Sequence, residues 1–265
     1  MPDVKHLVLV MLLLAAIPAD AAEPPALVEA RTLYNAGDFD GAIRAAYEVQ
    51  VPDWADAARL VIARSHLERY RQSTQAVDLA AGGGALAEVR ASSLMPRDRV
   101  DLLIGLGQHL YFSSEFGAAA DLFDSALAQG FLLSREDRLL LLDWWANAVD
   151  RAAQARRPER RASEFARIVP RMEDEIRRDP TNHIAGYWLA VAHRGTGDVD
   201  GAWDAAVAAW VLSHLAEDGQ AGVRADLDRL VTEGIIPERA RLRKESADAA
   251  RTMREAWETI KRQWK

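Results

Sequence analysis

Residues 100–133 read VDLLIGLGQHLYFSSEFGAAADLFDSALAQGFLL. Apolar residues recur on both sides of Ser113-Ser114-Glu115 at helical, not strand, spacing, so the stretch is expected to form two helices joined by a tight turn. The turn has its own chemistry. Serine permits the reversal, Glu115 is placed to cap the second helix, and Phe116 covers the turn. Ala118 and Ala119 are small enough to let the two helices approach closely.

The same logic returns at Gly37-Asp38-Phe39-Asp40-Gly41-Ala42 and at Gly197-Asp198-Val199-Asp200-Gly201-Ala202. In the first stretch, Leu106-Gly107, Phe116, Ala119, Phe123 and Ala126 keep a fixed internal spacing. Leu189-Ala190, Ala202, Ala206 and Ala209 keep it from His183 to about Ala216, after an Asp179-Pro180-Thr181-Asn182 link. Ala30, Gly37, Phe39, Ala42 and Ala46 keep it from about Glu23 to Gln50, and Ala76 lies 34 residues beyond Ala42. These positions resemble the tetratricopeptide repeat, a motif of about 34 residues that folds as two antiparallel helices. The resemblance covers some two thirds of the chain past its N-terminal segment. It implies an all-α fold, a right-handed superhelical solenoid of antiparallel helix pairs (TPR-like), here followed by a long C-terminal helix. Ala76 to Ala119 spans 43 residues, nine more than one repeat, and holds Gly82-Gly83-Gly84, read as a flexible link. The pair near 134–178 is enlarged and lacks most signature residues.

Three regions follow. Residues 1–22 read as a signal peptide: Lys5, then eleven apolar residues from Leu7 to Ile17, then Pro18 and Ala19-Asp20-Ala21. Cleavage is expected near Ala21 or Ala22, giving an exported, periplasmic or secreted protein. Eleven residues of helix span roughly half a bilayer core, too little for an anchor. Residues 23–216 form the repeat domain and 217–265 a C-terminal helical cap. No later stretch is long and apolar enough to cross a membrane, so no transmembrane segment is expected once the signal is removed.

Composition narrows function. The 265 residues are 49% hydrophobic and 28% charged, with a net charge of -7, which offers no general attraction to nucleic acid. There is no cysteine, hence no disulfide, thiolate metal site, cysteine nucleophile or lipoprotein anchor. The six histidines form no HExxH pair, and no two lie three or four apart, so no metal is expected. Gly82-Gly83-Gly84 lacks the lysine of a phosphate-binding loop, and no cofactor is expected. Ser65-His66 and Ser213-His214 are neighbours in sequence only.

Repeats of this family often hold ligands in a groove lined by the first helix of each pair. The resemblance therefore implies Arg31 and Tyr34, then Ile104, Gln108 and Phe112, then Tyr187, Val191 and Arg194, as positions for a peptide or protein partner. One family subtype grips a terminal carboxylate with paired lysine and asparagine, absent from the matching positions here. The segment Pro237 to Trp264 is read as one helix with an apolar stripe of Met253, Trp257, Ile260 and Trp264. That stripe either closes the stack or docks elsewhere. The function expected is a non-enzymatic interaction scaffold in the cell envelope. The alternative is an enzyme, or a receptor for a small polymer, with a pocket around Trp144 and Trp145.

Overall fold

The structure is a computed structural model that describes residues 22–213 and 220–264. The expected signal and its cleavage point lie outside these residues, apart from Ala22. Among the described residues every regular element is helical and none is a strand. Helices α1 (Pro25–Asn35) and α2 (Phe39–Tyr47) form the first pair, and α3 (Ala55–Ser73) and α4 (Ala76–Ala87) the second. Next come α5 (Pro96–Phe112) with α6 (Phe116–Leu127), then α7 (Arg135–Gln154) with α8 (Pro158–Arg178). The fifth pair is α9 (His183–Thr196) and α10 (Val199–Ser213). The chain continues through α11 (Gln220–Arg229), a π-helical turn, α12 (Ile236–Arg243) and α13 (Ala247–Gln263).

Connectors of two or three residues join the two helices of each pair, which forces each helix to turn back on its predecessor. Two turns follow the expected chemistry. The Asp38 carboxylate accepts from the Gly41 N–H at 2.8 Å, and Asp198 accepts from the Gly201 N–H at 2.9 Å. The third departs from it. Glu115 makes no capping hydrogen bond, because its side chain is one methylene longer than that of aspartate. Gly37 and Gly197 take left-handed backbone angles at the turn, and Ser114 takes the same angle at the equivalent place (φ 65°).

The triple glycine is not a flexible link. It lies inside α4, where close packing demands it. A Cβ on Gly83 would stand 2.5 Å from the His109 ring of α5, and one on Gly82 would meet Leu67 of α3. Gly84 faces open space.

The C-terminal region also departs from expectation. Pro237 does not open a helix, since helical backbone continues through it from the π turn Leu230–Ile235. A proline removes one backbone donor and its ring crowds the preceding turn, and the widened turn directly ahead takes up that misfit. The long last helix then breaks at Lys244, which is left-handed (φ 52°). A new helix starts where the Ser246 hydroxyl accepts from the Ala249 N–H.

Three hydrophobic cores follow one another along the chain. The first gathers Leu27, Leu60, Leu67, Leu86 and Leu102. The second gathers Val100, Phe123, Leu142, Trp145, Ile168, Met172 and Trp188. The third gathers Trp210, Leu227, Ile235, Ile236 and Trp257. Besides touching its partner, the first helix of one pair often touches the first helix of the next: α1 meets α3, α3 meets α5, α7 meets α9 and α9 meets α11.

Candidate functional site

A cavity of about 490 Å³ opens where α1, α3, α5 and the start of α7 come together. Its lining begins with residues that helical period places on one face: Arg31, Tyr34 and Asn35 on α1, and Ala57, Leu60, Val61 and Arg64 on α3. Arg97, Asp98 and Asp101 on α5, with Ser134 and Asp137, complete it. Ala57, Leu60 and Val61 give an apolar patch, and the remainder is polar.

The polar wall is an alternating network. Arg31 donates to Asp98 at 3.1 Å through Nη2, while its Nε lies 2.7 Å from Glu23. Arg64 donates to Asp101 at 2.7 Å, and its guanidinium carbon sits 4.8 Å from the centre of the Tyr34 ring. Arg97 donates to Asp101 at 3.2 Å, to Asp137 at 2.8 Å and to the Leu132 carbonyl at 2.9 Å. Asp98 and Asp101 are buried, so each holds its arginine from behind. Arg64 Nε finds no hydrogen-bond partner among the described residues.

Electrostatics follow from this wiring. Burial works against the Arg64 charge, yet Tyr34, Asp101, Glu68 and Asp137 raise its affinity for its proton. Arg31 and Arg97 are raised likewise, burial opposing and their aspartates prevailing. Burial alone would lift the Asp137 carboxyl, but Arg97 holds it below the usual range. Burial pushes the Tyr34 hydroxyl up.

A second cavity, of about 320 Å³, lies further along the same series of helices. Tyr187 and Arg194 of α9 line it with Asp226 and Arg229 of α11 and with Leu230, Glu233 and Gly234 of the π turn. Arg194 donates to Glu238 at 2.8 Å. Burial, and then Asp226, Asp150 and Asp143, push the Tyr187 hydroxyl up to about 12. Burial also raises the Asp143 carboxyl, although Trp188 Nε1 donates to it at 2.7 Å.

The eight expected groove positions do not all line one cavity. Arg31 and Tyr34 share the first cavity, and Tyr187 and Arg194 share the second. Ile104 is buried in the central core and Val191 packs against it. Gln108 is buried and donates to Glu68 at 3.0 Å. Phe112 sits edge-on to Tyr70 and Trp144. Trp144 fills the middle with Tyr111 and Phe123, and Trp145 is buried. The stripe on α13 folds back onto the third core. Trp257 is fully buried against Trp203 and Trp210, Met253 and Ile260 are partly buried, and Trp264 is more exposed.

Sequence reading missed Arg64, Arg97, Asp98, Asp101 and Asp137, yet a trace of them was present. Arg31, Arg64 and Arg97 are spaced 33 residues apart. That interval is one residue short of the 34 between Ala42 and Ala76, so the arginine series and the alanine spacing do not share one period. Among the described residues, no group of three His, Asp or Glu side chains could hold a metal ion, and no helix is long and apolar enough to cross a membrane. No family model, curated protein or solved structure matches the chain.

Proposed function

We propose that the protein is a non-enzymatic scaffold of the tetratricopeptide-repeat kind. Its paired helices stack as a right-handed solenoid, and the face made by α1, α3, α5, α7, α9 and α11 receives an extended peptide or a protein segment. The observation that carries this reading is the 490 Å³ cavity, built from the first helices of four successive pairs. A ligand lying across those helices meets a new set of side chains at each step, as an extended partner requires. Binding accounts for the wall better than catalysis does. Asp98, Asp101 and Asp137 are each tied to a guanidinium, so their oxygens are already engaged and not free to take a substrate's proton. Ser65 is fully buried while its neighbour His66 pairs with Asp78, so the two do not form a nucleophile and base.

The setting proposed is the cell envelope, on the strength of Lys5, Leu7 to Ile17 and Ala19-Asp20-Ala21. N-terminal sequencing of the protein recovered from its producing cells tests this point, and a start near Ala22 or Glu23 is expected.

The binding reading is tested by placing a photo-crosslinking residue at Tyr34 and at Tyr187, with Val77, exposed on α4, as control. The same protein partner recovered from both tyrosine positions, and not from Val77, is the expected result. Equal capture from all three positions, or from none, would reject the reading.

A further inference from the structure

We infer that the cavity between α1 and α7 selects an uncharged peptide unit with an aliphatic side chain, an inference that rests on the groove reading above. Three guanidiniums, Arg31, Arg64 and Arg97, face three carboxylates, Asp98, Asp101 and Asp137, around one space. A ligand carboxylate placed against the arginines also lies beside the aspartates, and a ligand ammonium meets the reverse. Either ion gives up its hydration and gains little net field in return, a poor exchange inside a partly enclosed site. A neutral amide loses far less on entry.

The wall also supplies what an amide needs. Arg64 is fastened to Asp101 and stacked on Tyr34, while its Nε lacks an acceptor. The Nε itself is sealed from solvent, but part of the Arg64 guanidinium faces the cavity, and a ligand carbonyl there accepts from it without adding a charge near Asp101, Glu68 and Asp137, which already surround this arginine. Asn35 is exposed at the rim, and its carboxamide both donates and accepts, as a peptide bond does. Ala57, Leu60 and Val61 cover an aliphatic side chain at the same time.

Three probes of one shape and different charge test this: N-acetyl-leucine N-methylamide, N-acetyl-leucine as its anion, and leucine N-methylamide as its cation. Each is titrated into the full chain while the Tyr34 ring resonances, assigned with Tyr34→Phe, are followed. The neutral amide is expected to bind about tenfold tighter than either ion. Its affinity should change little as salt is raised, because no net charge pairs. Val61→Phe, checked for fold by circular dichroism, should abolish the shifts, and Asn35→Ala should weaken binding several-fold. Equal or tighter binding of an ion overturns the inference. So does tighter binding of maltose, a neutral polyol, or the absence of any shift up to about 50 mM of amide. If the probes fail while crosslinks from Tyr34 and Tyr187 persist, the charge selection is wrong and the groove reading stands. If the crosslinks are lost as well, both fall.

Discussion

Single residues at equivalent turns and helix positions carry instructive contrasts. Ser114 holds the left-handed angle that Gly37 and Gly197 hold in the other turns, and a side chain there is strained. Ser114→Gly should therefore stabilise the protein by about 0.5–1 kcal/mol, net of the entropy glycine adds to the unfolded chain, raising Tm by roughly 2 °C. A thermal melt checks it. The glycines of α4 divide in the same way. Gly84→Ala adds a good helix former in open space and should stabilise by up to about 1 kcal/mol. Gly83→Ala drives a methyl into the His109 ring and should cost about 1–3 kcal/mol. A true flexible link would make both substitutions alike in denaturant titrations. Asp143 gives a pH prediction. Its carboxyl is raised by burial, so the folded state holds the proton more tightly than the unfolded state does. Stability from this group is least above its raised value and grows as pH falls toward the ordinary value of about 3.9. Asp143→Asn keeps an oxygen acceptor for Trp188 and removes the charge. The variant should match or exceed the parent at neutral pH, and the parent should gain on it as acid is added. A difference between the two urea midpoints that stays constant from neutral pH to about pH 4 would contradict this.

Elements were legible where local chemistry and packing agree, and blurred where tertiary contacts decide. The pair α5 and α6 can be read from Leu106-Gly107, Phe116 and Phe123 because glycine and phenylalanine are complementary there: a Cβ on Gly107 would strike the Phe123 ring. The triple glycine misled because glycine in a helix is unfavourable by itself, and only the His109 ring and Leu67 on neighbouring helices explain it. The break at Lys244 was missed for a similar reason, since the stripe from Met253 to Trp264 runs in phase with helical period on its own side of the break. The site was half legible. Arg31 and Tyr34 follow from the repeat pattern, but Asp98, Asp101 and Asp137 join them only through pairing between helices. At this scale the role of α13 is testable. Trp257 is fully buried, and its indole N–H donates to Asp228 at 2.8 Å, which also accepts from Lys261 at 2.8 Å. Trp257→Ala should cost about 3–5 kcal/mol. A docking helix held loosely on the surface would lose far less, and urea unfolding separates the two outcomes.

The whole molecule is a succession of cores that share walls. Leu102 of α5 belongs to the first core while Val100 and Ile104 belong to the second, and on α9 Trp188 serves the second core and Ala190 the third. Each boundary is one helix thick, so neighbours couple strongly and distant parts weakly. If the helix pairs stack as proposed, stability is close to a sum of local terms and nearest-neighbour interfaces. Leu27 is fully buried at the first end, and Leu27→Ala should cost about 2–5 kcal/mol there. Hydrogen exchange should then quicken throughout α1 and α2, less in α3, and hardly at all around Trp257 and Ile236. A molecule with one undivided core responds differently. Its slowest-exchanging amides open only on global unfolding, so the same substitution would accelerate them equally at both ends. The gradient across α3 and α5 therefore measures how far the stacked arrangement holds, independently of any ligand. It also bears on the proposed groove. If α1 loosens alone, Tyr34 and Arg31 leave the cavity while Tyr187 and Arg194 stay in place, and crosslinking from Tyr34 should fail in Leu27→Ala while crosslinking from Tyr187 persists.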